Sequence, residues 1–158
     1  AERPERGPRL SDAAFRAQRD AVDAAQQALR KLAAQAHGEA VTQLLQAWAQ
    51  RDAAALPAAH DLGKLPAAAR TGWSQALSAS AKGDAAQALL RLEVAADIPT
   101  PAQHHSQRRM LQLQLLTQRN AAMPAETWAQ DVATVLASAH EEAAARRLQN
   151  ALKVLLRK

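Results

Sequence analysis

The sequence predicts an all-α protein, an irregular bundle of about seven helices built from stacked helical hairpins. Three observations carry that reading. Roughly a quarter of the 158 residues are Ala, while Tyr is absent and Phe occurs once; Ala is the strongest helix former, and strands favour aromatic and β-branched residues. Leu, Val and Trp recur at spacings of three and four, which aligns them on one helix face. Pro, Gly and short polar residues fall between those runs, where helices start and stop.

The elements follow in order. Residues 1–10, AERPERGPRL, are rich in Pro and charge and read as a disordered lead-in or linker. Residues 11–158 read as a single all-helical domain. Ser11 and Asp12 offer an N-cap and an acidic first turn for a helix running to about Ala36. In it Phe15, Val22, Leu29 and Ala36 recur every seven residues, with Leu32 beside them, a seam suited to a partner helix. Gly38, after His37, predicts a break. A second helix then carries Val41, Leu44, Leu45 and Trp48. Pro57, Gly63 and Pro66 divide the next stretch into short helical pieces with a turn at Leu62–Pro66. Pro66 suits the first turn of a helix that buries Trp73 and Leu77.

Gly83 breaks the chain and Asp84 caps the next helix, whose buried face is Leu89, Leu90 and Val94. Ile98-Pro99-Thr100-Pro101 stops it. Thr100, Pro101 and Gln103 form a capping-box pattern. It predicts a helix over Pro101–Arg119 whose broad face, Met110, Leu111, Leu113, Leu115 and Leu116, makes it central. Pro124 opens a helix with Trp128, Val132, Val135 and Leu136. The last runs from about Glu141 to Arg157 with Leu148, Leu152, Leu155 and Leu156 inward. A helical solenoid is the competing architecture, but no fixed period repeats along the chain.

Composition bounds the function. With no Cys, a disulfide scaffold and a thiolate zinc site are excluded. No run of about 20 apolar residues is present to span a membrane. The chain starts at Ala1 with no apolar signal segment, so it reads as a piece of a longer protein. The net charge of +5 and pI near 10.4 favour anionic partners.

No constellation of catalytic residues stands out. His104 and His105 are adjacent and diverge by about 100° on a helix, too far to share an ion. His140-Glu141-Glu142 lacks the second His of a zincin helix. Glu93 and Asp97 stand one turn apart, a spacing that acquires acid–base meaning only inside a pocket and otherwise marks a solvated face. There is no GxGxxG or Walker A motif. The chain therefore reads as non-enzymatic, with no cofactor, metal or small-molecule substrate.

Basic residues give the one candidate site. Arg108, Arg109 and Arg119 form a stripe with His104 and His105 one turn before the arginine pair. Arg146, Arg147, Lys153, Arg157 and Lys158 form another on the last helix. Were those helices neighbours, several charges would face a phosphate backbone. Phe15 and the three Trp lie on apolar faces, leaving no stacking platform for single strands. Ordinary solvated helix faces, or pairing of the arginines with Glu141 and Glu142, account for the same residues.

A resemblance emerges in Leu62–Leu116. Leu62-Gly63-Lys64-Leu65-Pro66 followed by Trp73 resembles the turn and Trp-bearing helix of the bacterial domain-of-unknown-function family numbered three hundred and forty-nine. Leu89–Leu116 is similar to a segment near the C-terminal end of long members, with Glu93, Pro99, Thr100, Pro101, Arg108, Arg109, Met110, Gln112 and Gln114 carrying the match. Members usually have an aromatic residue after the Trp, where this chain has Ser74-Gln75-Ala76-Leu77, and tend to carry Asp near His104 or His105. The resemblance covers about a third of the chain. It implies helical bundles, no known catalytic residues and a C-terminal region of a larger cytoplasmic protein.

Two functions are thus expected. The first is a non-catalytic helical module that binds another protein or another part of its parent chain. The second is weak, sequence-independent binding of RNA or DNA through the basic helix faces.

Overall fold

The structure, a computed structural model, describes residues 11–63, 65–79 and 84–157. The lead-in at residues 1–10, the break at Gly83, and Lys158 lie outside them. Six α-helices and three short 3-10 turns make up the described residues, with no strand among them. They are α1 (Asp12–Gln50), α2 (Ala67–Ser78), α3 (Ala85–Ala96), α4 (His105–Thr117), α5 (Pro124–Ala137) and α6 (Glu142–Leu155). Six replace the expected seven because the first two predicted helices are one.

That helix does not break at His37–Gly38. A Gly inside a helix costs only roughly 0.5–1 kcal/mol relative to Ala. The next three turns bury Ala40, Val41, Leu44, Ala47 and Trp48, each large side chain worth about 1.5–3 kcal/mol, so burial outweighs the Gly. The helix ends instead at Arg51, which takes a left-handed φ of 50°. Asp52 then caps the 3-10 turn Ala53–Ala55 through the Ala54 N–H, at 3.0 Å.

The chain divides into two compact units, residues 1–36 and 37–158. In the first, no side chain of residues 12–36 is buried. The second holds the core, which runs from Ala40 to Leu156 in sequence. There α3 lies against both α5 and α6, and α2 lies against α5.

Local signals hold for most elements of the second unit. The 3-10 turns Ala53–Ala55 and Ala59–Leu62 occupy the stretch divided by Pro57. Pro66 stands one residue ahead of α2. Asp84 caps α3 by accepting the Gln87 N–H at 3.1 Å, and Asp97 ends it at φ 56°. Pro124 opens α5. Leu148, Leu152, Leu155 and Leu156 are all buried. Trp48 and Trp73 are fully buried, their indole N–H groups donating to the Ser138 and Ala129 carbonyls at 2.9 and 2.8 Å. Trp128 is half-buried, edge-on to Trp73 with ring centres 6.4 Å apart.

Two expectations fail. Thr100 and Gln103 do not form a capping box; Thr100 is buried, a 3-10 turn spans Ala102–His104, and α4 starts at His105 without a side-chain cap. Nor is α4 central. Only Leu111 of its apolar residues is buried, while Met110, Leu113 and Leu116 are exposed, Leu116 at 85%. Its main neighbours are α3 and the 3-10 turn before it, and most of its wide apolar face is left to solvent.

Among the glycines of the described residues, Gly63 is the one whose freedom matters. It sits at φ 72°, and an added Cβ would lie 2.6 Å from His37 Cε1 and 3.1 Å from the Leu156 carbonyl oxygen. The turn therefore passes closer to α1 and the end of α6 than a side chain permits.

Candidate functional site

The arginines explain most of the polar architecture of residues 37–158. Arg51 is the clearest example. Its guanidinium donates to the Ser138 carbonyl at 2.8 Å and the Leu136 carbonyl at 3.2 Å, and to the Ala79 carbonyl at 2.8 Å. These oxygens belong to the C-terminal ends of α2 and α5, where unpaired carbonyls and the helix dipole concentrate negative charge. One side chain thus ties off two helices. Arg70 does the same for the loop, donating to the Pro57 carbonyl at 2.7 Å.

Arg91 joins α3 to α5. Its Nε lies 3.2 Å from the Asp131 carboxylate, and Nη2 donates to the Ala122 carbonyl and to Thr127 Oγ1, both at 2.8 Å. Burial pushes the Asp131 carboxyl above its ordinary value of 3.8; the charge and hydrogen bond of Arg91, with a lesser bond from Thr127, pull the other way.

Two of the candidate phosphate-binding arginines are also drawn inward. Arg147 of α6 pairs with Glu93 of α3, Nη2 to Oε1 at 2.5 Å and Nε to Oε2 at 3.1 Å. Glu93 is 2% exposed. Thr100 Oγ1 donates to the same carboxylate at 3.2 Å and accepts from Arg108 Nη1 at 2.9 Å. Arg108 also donates to the Ile98 carbonyl, and His105 Nε2 lies 2.9 Å from the Thr100 carbonyl. The structure does bring Arg108 and Arg147 together, but around a buried carboxylate and hydroxyl rather than on a surface stripe. Glu93 accordingly belongs to an ion pair between helices and not to an acid–base pair with exposed Asp97.

The other candidates remain in solvent. Arg109 and Arg119 are exposed at α4 and just beyond its end. Arg146, Lys153 and Arg157 are exposed with Asn150. Their spacing of four and three residues places Arg146, Asn150 and Lys153 on one side of α6, with Arg157 in the turn just past its end. Both α4 and α6 lie against α3, and the pair α4–α6 is absent from the main helix contacts, so the two predicted stripes do not merge into one.

An open cleft of about 910 Å³ runs beside this stripe, lined by Leu89, His104, Glu141, Glu142, Arg146 and Asn150 among others. Its charges are mixed, with two carboxylates at the end nearest the α6 N-terminus. Among the described residues no group of three His, Asp or Glu is placed to hold a metal ion. His140 is edge-on to Trp48, ring centres 4.9 Å apart. No helix among them is long and apolar enough to cross a membrane.

Two apolar surfaces complete the inventory. On α4 they are Met110, Leu113 and Leu116. On the first unit, Phe15, Val22, Leu29 and Leu32 are exposed at 59, 50, 65 and 63%, and this is the heptad seam legible in the sequence. Large exposed apolar stripes of this kind mark interaction surfaces more often than isolated exposed residues do.

Compared with known proteins, the chain matches no family model, no curated protein and no solved structure.

Proposed function

We propose that this chain is a non-catalytic helical protein-interaction module, a piece of a larger bacterial cytoplasmic protein, with its helical hairpins stacked as an irregular bundle. Its resemblance over Leu62–Leu116 to the family numbered three hundred and forty-nine belongs to the same proposal and adds no activity. The observation that supports it is the exposed seam Phe15–Val22–Leu29 on a continuous helix. An apolar line at seven-residue spacing is the surface a second helix occupies. The test is site-specific photo-crosslinking in cells. A photoreactive phenylalanine analogue at Val22 should give a discrete cross-linked protein product, and the same analogue at Gln27, off the seam, should not. Equal products at both positions, or none at Val22, overturn the reading.

A second reading, weak sequence-independent binding of RNA or DNA, is favoured by one observation. Arg146 and Lys153 share one exposed side of α6, Arg157 follows in the turn just past its end, and none of them makes an ion pair among the described residues. Three such contacts to single-stranded RNA should give a log–log salt slope of about −2. Charge reversal at Arg146 and Lys153 should abolish binding and its salt dependence; retained affinity excludes it. Arg108 and Arg147 are left out of that test because their substitution disturbs the core.

A further inference from the structure

We infer that the exposed face of α4 docks an acidic amphipathic helix of another protein. The inference goes beyond the seam on α1: it assigns a second surface and gives its partner a charge.

The face comes first. Leu111, the buried residue of α4, lies about 160° around the helix from Leu113. Met110, Leu113 and Leu116 recur at steps of three on that outward side, and all three are exposed. Among the exposed side chains of α4 only Arg109 carries a formal charge; the others beside the apolar three are Gln, Ser, Thr and His. Surfaces that meet other proteins share this make-up, with charge depleted at the centre and Met and Arg enriched. Covering such a face desolvates few charges, so little opposes the gain from burying its apolar side chains.

Charge then selects the occupant. Residues 98–125 contain no Asp or Glu. Arg109 stands at one end of the apolar line, one residue ahead of Met110. Arg119 is exposed past the other end, after α4 stops at Thr117. Neither guanidinium has an ion-pair or hydrogen-bond partner among the described residues, whereas Arg108 is spent on the Ile98 carbonyl and Thr100. Two copies of α4 laid face to face set arginine against arginine or glutamine in either direction, so the face does not complete itself. A helix with acids at both ends of an apolar stripe supplies what is missing. A phosphate backbone would meet the arginines but offers nothing to Leu113, and α4 carries no Phe, Tyr or Trp on which a base could stack. Helices that lie on membranes are rich in Lys and Arg along the polar face, where α4 has glutamine. At 13 residues α4 is about 20 Å long, so the contact is of the small, transient class.

The test is fluorescence anisotropy with the full chain and three labelled synthetic helices of about 18 residues sharing one Leu stripe. Glutamates flank the stripe in the first; Gln or Lys replaces them in the other two. The glutamate helix should bind about tenfold tighter than the glutamine helix at low salt, with a margin that narrows as salt rises. The lysine helix should bind weakest. In the double variant Arg109→Glu and Arg119→Glu the order should invert. Leu113→Asp should weaken the glutamate helix by about tenfold or more. Leu113 is 62% exposed, so the denaturant melt of that variant, read by Trp fluorescence, should match the parent's. Equal binding of the three helices, no binding, or an order unchanged in the arginine variant overturns the inference. So does a folded Leu113→Asp that binds as the parent does. Self-association in sedimentation, or binding to anionic vesicles or single-stranded RNA, that is lost in Leu113→Asp would give the face to another occupant and overturn it as well. Cross-linking at Val22 reports on the α1 seam alone, so failure at one surface is told apart from failure at the other.

Discussion

At the scale of single residues, arginine holds the molecule together. Glu93 is sealed between α3 and α6, and Arg147 and Thr100 occupy its oxygens. Taking Arg147 away leaves a buried carboxylate without its counter-charge. Arg147→Ala should therefore lower unfolding stability by about 3–5 kcal/mol, measured by denaturant titration; a loss under about 1 kcal/mol would mean that Glu93 finds water instead. Asp131 gives a second residue-level prediction. Its pKa is raised by burial, so the folded state holds the proton more tightly than the unfolded chain does. Its contribution to stability is greatest at low pH and declines as pH rises from 3.8 through the raised value. Compared with Asp131→Asn, the parent protein should lose relative stability across that window in thermal melts at successive pH values. A difference that stays flat, or grows with pH, would show that pairing with Arg91 outweighs burial.

At the scale of elements, exposure separates α2 from α4 although both carry strong apolar patterns. Trp73 is 1% exposed and its N–H is bonded to α5. Trp73→Ala should cost about 3–5 kcal/mol. Leu116→Ala, on the open side of α4, should change stability by less than about 0.5 kcal/mol, and denaturant melts of the two variants should show the contrast. Both patterns are legible in the sequence, but only one helix has neighbours on enough sides. A helix can bury only as much of its face as other helices reach, and the main neighbour of α4 among the α-helices is α3. The same limit explains Thr100. Its local pattern announces a cap, yet its hydroxyl is taken by Glu93 and Arg108, seven and eight residues away on the neighbouring helices α3 and α4, and burial makes that bond more valuable than a solvated cap.

At the scale of the whole molecule, the buried core of the described residues begins at Ala40 and ends at Leu156. A chain of residues 37–158 should accordingly unfold in one cooperative step, read by Trp fluorescence, with a midpoint within a few degrees of the full chain. A loss of cooperativity would show that residues 12–36 supply stability beyond their own helix. The net charge of +5 overstates the surface available to an anion, because Arg51, Arg70, Arg91, Arg108 and Arg147 spend their hydrogen bonds on carbonyls and carboxylates within residues 37–158.

The sequence by itself left Glu93 on a solvated face, where the structure buries it, but it determined the all-helical class, most helix starts, the inward faces of α2, α5 and α6, part of that of α3, and the heptad seam. Each of these depends on spacing and capping within one or two turns, which a single strand of text displays. The tertiary structure decided the continuity of α1 through Gly38, the peripheral place of α4, and the division of arginines between core and surface. Those outcomes depend on which distant carbonyl, carboxylate or apolar face a side chain meets. Such meetings carry several kilocalories per mole and leave no mark on the local pattern.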